Sequence, residues 1–152
     1  MGNLSAAPIR VAVVDDHIMV SEILALSISK ERDLVLVDVA ANIGDALDVV
    51  RRNRPDVVLV NYRLPDGDGV DVVRKILEEF PDTRVVMLSS SVDRDVRAQS
   101  FGAGCVRYLG RDRSIHDILT AIRSAAREDL IRSEEFVGLL EQWSRASGHL
   151  AD

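Results

Sequence analysis

Two aspartates and one asparagine frame the chemistry open to this chain. Asp15 and Asp16 follow the apolar run Ile9 to Val14, and Asn61 closes a second run, Val57-Val58-Leu59-Val60. In a parallel sheet the carboxyl ends of neighbouring strands open onto one crevice, where ligands bind and reactions are run. Asn61 would face the two carboxylates at the place where a third would complete a site for a metal ion and a phosphoryl group. An amide carries no negative charge and forms no acyl phosphate. The pattern is that of phosphoryl chemistry without its nucleophile.

The remaining parts follow at later strand ends. Carboxylates such as Asp15 and Asp16 suit Mg2+, which binds through one or two of them and keeps several waters. Ser89 ends the run Val85 to Leu88, so its hydroxyl can donate to a phosphoryl oxygen. Arg111 lies just past the run Cys105 to Leu109 and brings a cation. Metal, hydroxyl and cation together would stabilise the charge that develops in phosphoryl transfer. An Asp-Asp pair alone is a weak signal, because most such pairs cap a loop; its place at the end of the first strand makes it a strong one.

The elements that must position these residues alternate along the chain. Ile9–Val14 reads as strand one, and its lack of polar alternation implies burial on both faces. His17–Lys30 carries Val20, Ile23, Leu24 and Leu26, the apolar side of an amphipathic helix. Val35–Val39 is strand two, and Asn42 caps a helix that runs to about Arg52. Pro55 breaks it, and Val57–Val60 is strand three. Gly67 and Gly69 supply a loop, Val70–Phe80 is a third helix, and Pro81 ends it. Val85–Leu88 is strand four, Asp93–Phe101 a polar fourth helix, Cys105–Leu109 strand five, and Ser114 caps a fifth helix. Five βα units with short connections imply an α/β fold, a parallel sheet with right-handed crossovers and helices on both faces.

Size and charge exclude other classes. A chain of 152 residues suffices for one domain with a substantial core. Its apolar runs are far too short for a membrane span, and residues 1–8 lack the pattern of a signal peptide, so a cytoplasmic protein is expected. The net charge of −6 argues against a grip on nucleic acid by this chain itself. Arg51, Arg52 and Arg54 fall where cations complement a helix C-terminus. The one cysteine, Cys105, gives neither an internal disulfide nor a metal cluster and reads as a buried strand residue.

In these residues the chain resembles the response-regulator receiver domains of bacterial two-component systems, in the NarL/FixJ-like branch. The resemblance rests on Val-Val-Asp-Asp-His at 13–17, Pro-Asp-Val-Val-Leu-Val-Asn-Tyr-Arg-Leu-Pro-Asp-Gly-Asp-Gly at 55–69, Val-Val-Met-Leu-Ser-Ser at 85–90 and Tyr-Leu-Gly-Arg-Asp at 108–112. It covers residues 9 to about 127. It implies a flavodoxin-like (CheY-like) doubly wound sheet in the order 2-1-3-4-5. It also implies that Asp15, Asp16 and the backbone carbonyl of Arg63 hold Mg2+, that Ser89 is the switch hydroxyl, and that Tyr108 is the switch aromatic. A sensor kinase, a homodimer through helices one and five, and DNA contact through a domain outside this chain are the partners it suggests; a membrane is not among them.

Three departures stand out. Asn61 occupies the place of the phospho-accepting aspartate, and Arg111 that of a nearly universal lysine. Between Gly102-Ala103 and Tyr108 there are two extra residues, which should reshape the turn into strand five. Two carboxylates and an arginine leave a less negative pocket than three carboxylates and a lysine. Arg111 is therefore expected to pair with Asp15 or Asp16 in bidentate fashion and to stand in part for the metal, leaving a weakened Mg2+ site.

The leading reading is a signalling module and not an enzyme: an atypical receiver of a transcriptional regulator that acts through protein contacts. The alternative is an ordinary phospho-receiver carrying an engineered Asp-to-Asn change at residue 61. A flavodoxin-type cofactor binder is disfavoured because Asp15-Asp16 would repel phosphate, and an aspartyl phosphatase because Asn61 removes its nucleophile. His17 is read as a cap or surface residue, His116 and His149 as solvent-facing, and Asp66 and Asp68 as turn chemistry beside the glycines. Residues 1–8 read as a tail and 9–127 as the domain. Residues 128–152 read as an extension whose Phe136, Leu139, Leu140 and Trp143 make an apolar helical stripe.

Overall fold

In the computed structural model, residues 7–90 and 93–127 are described. Strands β1 (Ile9–Val14), β2 (Leu34–Ala40), β3 (Val57–Asn61), β6 (Arg84–Ser89) and β7 (Arg107–Gly110) form one sheet, in the order β2-β1-β3-β6-β7, with every neighbour parallel. The helices are α1 (Ile18–Ser29), α2 (Ile43–Asn53), α3 (Gly69–Glu79), α4 (Arg94–Ala103) and α5 (Ile115–Ala126). The expected order 2-1-3-4-5 is met, since β6 and β7 are the fourth and fifth strands of this sheet. Between β3 and α3 the expected loop contains a small antiparallel pair, β4 (Arg63–Leu64) and β5 (Gly67–Asp68).

The alternation of β-branched residues divides the core between the two faces. Ala12, Val14, Val58, Val60, Val85 and Met87 pack with α2, α3 and Phe101 of α4. Val11, Val13, Val57, Leu59, Val86 and Leu88 pack with Leu24 and Ile28 of α1 and with Ile118, Leu119 and Ile122 of α5. Each such side chain contributes about 1.5–3 kcal/mol when fully buried. The sheet is therefore packed on both faces up to its carboxyl edge, where the candidate residues lie.

Caps mark the helix starts. The side chains of Asn42, Asp68, Asp93 and Ser114 accept hydrogen bonds from the amides of Asp45, Asp71, Asp95 and Asp117. Asp68 is thus a helix cap. Asp66 reaches farther than a turn residue would: its carboxylate accepts from the amides of Ile43 (2.9 Å) and Gly44 (3.2 Å), an anion seated on the start of α2.

Two expectations need correction. Cys105 lies outside β7, which begins only at Arg107. Gly104 ends α4 with φ 118°, the Cys105 amide folds back onto the Ser100 carbonyl, and the Val106 amide joins the Val85 carbonyl before the strand proper starts. Gly104 suits that position because L side chains rarely adopt a φ of 118°, and a Cβ there would also press on the Leu77 side chain. Cys105 is nonetheless buried, and burial pushes its thiol well above the usual range. The second correction concerns α1, where Leu24 and Ile28 are buried but Ile23 and Leu26 face outward with Ile18 and Met19. The helix is apolar around much of its circumference, so its inner face could not be read from hydrophobicity alone. The stripe expected at 136–143, and His149, lie outside the described residues.

Candidate functional site

The strand registers bring the candidate residues to one level. Val14 pairs with Val60, so Asp15 and Asn61 are the next residues on adjacent strands; Asn61 pairs with Leu88, and Ser89 with Gly110. The Arg111 amide bonds the Ser89 carbonyl at 3.1 Å, which sets the arginine at the same edge. Asp15, Asn61 and Ser89 are all buried, the first two only 3% and 2% exposed.

Each polar group at this edge has a defined neighbour. The Asn61 amide nitrogen, Nδ2, donates to the Arg63 carbonyl at 2.8 Å. Asp15 Oδ1 receives the His17 backbone amide at 2.9 Å and lies 2.8 Å from His17 Nδ1. The same ring nitrogen is 3.3 Å from Asp16 Oδ1. Asp15 Oδ2 is buried without a hydrogen bond, and Arg111 Nη2 approaches it at 3.8 Å. The bidentate pairing expected of Arg111 is therefore reduced to one long ionic contact. The reason is local: His17 already claims the other Asp15 oxygen, and the arginine's backbone is tied to β6.

His17 is the residue that sequence reasoning undervalued. It occupies the cap position of α1, yet its side chain makes no cap bond and turns to the acidic pair instead. Its place directly after Asp15-Asp16 was the available signal. Gly69 was missed as well. Its amide bonds the Tyr62 carbonyl at 2.6 Å, and a Cβ there would lie 2.7 Å from the Asn61 carbonyl oxygen and 3.0 Å from Met87 Sδ. Only glycine lets α3 start this close to the end of β3.

Tyr108 stands on β7 opposite Met87, half-buried, its ring 6.4 Å from Phe101 at 45°. The Arg97 guanidinium sits 5.8 Å from both ring centres, so Tyr108 of β7 meets both a cation and a ring of α4. An open cavity of about 550 Å³ is lined by Arg94, Arg97, Tyr108, Gly110 and Arg113 on this same side. His116 is exposed, as expected.

This arrangement of sheet and acidic edge can be set beside known proteins. The response regulator receiver domain family matches residues 11–123. The chain belongs to that family. Among curated relatives, the receiver is 29% identical over 123 residues to the transcriptional regulatory protein YxjL of Bacillus subtilis, covering 81% of this chain and 56% of the relative. It is 27% identical over 143 residues to the transcriptional regulatory protein LiaR of the same species, covering 94% of this chain and 68% of that one. The chain thus spans between about half and two thirds of the length of these relatives. In structure it superposes on the signal receiver domain of a NarL response regulator from Mycobacterium tuberculosis with a TM-score of 0.76 at 27% identity, over 80% of this chain and 98% of the other. A CheY-like receiver domain protein from Methanospirillum hungatei, 20% identical with a TM-score of 0.74 over 85% of this chain, shares the fold.

Whether the receiver's residues fit the Mg2+ that its family resemblance implies can be judged atom by atom. Asp15, Asp16 and His17 place donor atoms within 4.8 Å of one another. The Arg63 carbonyl, however, is engaged by Asn61, one Asp15 oxygen by His17, and the other faces Arg111. Asp16 and Asp15 Oδ2, which has no hydrogen bond but faces Arg111, are the oxygens left to a hard cation, so the set it requires is only partly free. Among the described residues no helix is long and apolar enough to cross a membrane.

Proposed function

We propose that this receiver is an atypical one, in which Asn61 stands at the phospho-acceptor position and signalling runs through protein contacts without ordinary aspartyl phosphorylation. The observation that carries this reading is the hydrogen bond from Asn61 Nδ2 to the Arg63 carbonyl. A carboxylate cannot donate that bond. The amide removes the nucleophile and also occupies, as a donor, a carbonyl that the family resemblance assigns to the metal. Arg111 supplies a fixed positive charge beside Asp15 Oδ2, so the buried carboxylate is balanced without an ion. Mg2+ binding is accordingly weak, and the chain turns over no substrate.

Ser89 and Tyr108 keep the positions of the switch hydroxyl and aromatic. With no phosphoryl group to draw the hydroxyl inward, the surface of α4, β7 and α5 is held in one state or set by a partner. The named relatives are transcriptional regulators, which supports a role in transcription with DNA read by a domain beyond this chain. A sensor kinase or another protein is the upstream partner. Association of two copies through α1 and α5 is supported by the exposed apolar residues of α1 beside α5. The protein would act in the cytoplasm.

Intact-mass measurement after exposure to a small phosphodonor and Mg2+ tests this on two chains, the parent and Asn61→Asp. The parent is expected to gain no phosphoryl group. A parent that gains one would overturn the reading. Phosphorylation of Asn61→Asp alone would show the pocket competent but for one residue and would favour a simple Asp-to-Asn change in an ordinary receiver.

A further inference from the structure

Beyond the pocket of Asp15 and Asn61, the carboxyl edge of this receiver carries a second polar surface. The open cavity between the start of α4, β7 and the turn into α5 has a volume of about 550 Å³, within the roughly 300–1,000 Å³ of small-ligand sites. Arg94 and Arg97 of α4 and Arg113 before α5 bring three guanidinium groups to it, and Tyr108 and Leu109 of β7 line it as well. We propose that this cavity binds a small polyanion with two or more phosphate groups, and that such a ligand is the input that sets the surface of α4, β7 and α5.

Charge is the first support. The chain has a net charge of −6, and elsewhere it matches arginines to carboxylates: Arg51 to Glu79, Arg52 to Asp38, Arg123 to Glu31 and Asp33. In the cavity that matching fails. Among the described residues no carboxylate lies within ion-pair distance of Arg94 or Arg97, and Arg113 approaches only Asp117, at 4.0 Å. Two carboxylates also line the cavity, Asp93 and Asp112. Asp93 is engaged as the cap of α4, accepting from the Asp95 amide at 2.8 Å. Asp112 lies over Gly110, where an added Cβ would stand 2.5 Å from its Oδ1. Three cations against two anions leave a positive cavity on a negative chain. A guanidinium grips a phosphate through two parallel hydrogen bonds, so three of them suit more than one phosphate group.

The second support is what the cavity adjoins. Arg97 stands 5.8 Å from the ring centres of both Phe101 and Tyr108, and Tyr108 holds the position of the switch aromatic. A phosphate that draws the Arg97 guanidinium away withdraws a cation from the Tyr108 ring. It also ties α4 to the turn before α5 through Arg113. A ligand shifts an equilibrium only through contacts that differ between its states, and Arg97 supplies such a contact. The inference rests on the reading of this receiver as one set without phosphorylation, and it gives that reading an input.

Isothermal titration calorimetry on the whole 152-residue chain, in chelator so that no metal carries the phosphates, tests this with inorganic pyrophosphate and with ADP. One site per chain is expected. Equal affinity for the two probes assigns recognition to the phosphates alone, and tighter binding of ADP adds a contact with its ring. Arg94→Gln should weaken binding about tenfold, the worth of one charge-assisted hydrogen bond, and R94Q/R97Q should remove measurable binding. The control Arg74→Gln, an exposed arginine of α3, should leave it unchanged. Arg94 has no ion pair to lose among the described residues, so its single variant should fold, which circular dichroism checks. Amide resonances of Tyr108 and α4 should shift as either probe is added. No binding of either probe at millimolar concentration overturns the proposal, as does binding weakened equally by Arg74→Gln. Binding that leaves the Tyr108 resonance unmoved overturns the regulatory role. Capture of a glutamate-rich peptide by the same arginines, with neither probe bound, also overturns it and assigns the cavity to an acidic protein partner. Phosphorylation of the parent by a small phosphodonor, read by intact mass, would refute the phosphate-independent reading, while the calorimetry still decides whether the cavity binds.

Discussion

Replacing Asn61 by aspartate probes the balance of this pocket most directly. The change removes a donor lying 2.8 Å from the Arg63 carbonyl and puts a negative charge at a position only 2% exposed, level with the buried Asp15. Losing the donor costs about 1 kcal/mol, the low end for an unsatisfied acceptor because Arg63 is itself exposed. A second carboxylate level with Asp15 adds like-charge repulsion of about 1–2 kcal/mol. Arg111, 3.8 Å from Asp15 Oδ2, offsets part of this. The net expectation is a loss of about 2–3 kcal/mol at neutral pH in chelator, or a fall in Tm of about 5–10 °C for a chain of this size. Mg2+ should restore most of it, since a ligand at a hundred times its Kd contributes about 2.7 kcal/mol. The parent should show no such gain. Thermal denaturation followed by circular dichroism, with and without Mg2+, measures all four states. An Asn61→Asp chain as stable as the parent in chelator, or a parent stabilised equally by Mg2+, would refute the reasoning.

Other outcomes follow from the same geometry. Arg111→Ala leaves the 1%-exposed Asp15 side chain with neither cation nor hydrogen bond at Oδ2, and should cost about 1–3 kcal/mol in urea denaturation at neutral pH; an unchanged midpoint would show that solvent already serves that oxygen. Gly69→Ala forces a Cβ to 2.7 Å from the Asn61 carbonyl oxygen, rigid backbone that cannot give way, so a loss of about 1–3 kcal/mol is expected from the urea midpoint; a neutral result would mean that α3 slides freely. Asp33, hydrogen-bonded by Arg123, and Asp66, bonded by the Ile43 and Gly44 amides, are both held below the ordinary value of 3.8. The native state then binds fewer protons than the unfolded one, so the stability they confer is present above about pH 4 and is lost as pH falls through their lower native values. Asp33→Asn should flatten that acid limb, read from urea midpoints between neutral pH and pH 3; a limb of the same slope would assign it to other groups.

Much of this protein is legible in its sequence. The alternation of short β-branched runs with helical patterns predicted the parallel sheet, because a strand buried on both faces must be apolar throughout. The caps Asn42 and Ser114 were legible for a local reason, as a cap bonds an amide only three residues on. Asp15, Asp16, Asn61, Ser89 and Arg111 were legible as strand-end residues. What tertiary structure alone decided is how those side chains divide their bonds. The Asn61 amide takes the Arg63 carbonyl, His17 turns from capping α1 to the acidic pair, and Arg111 meets only one oxygen of Asp15. None of this can be read from residue types, since each group had several partners within reach and the packing of strand ends chose among them. The same holds for α1: its hydrophobicity is nearly uniform, and only its seat against β1 and α5 shows that Leu24 and Ile28 face inward while Met19, Ile23 and Leu26 remain outside.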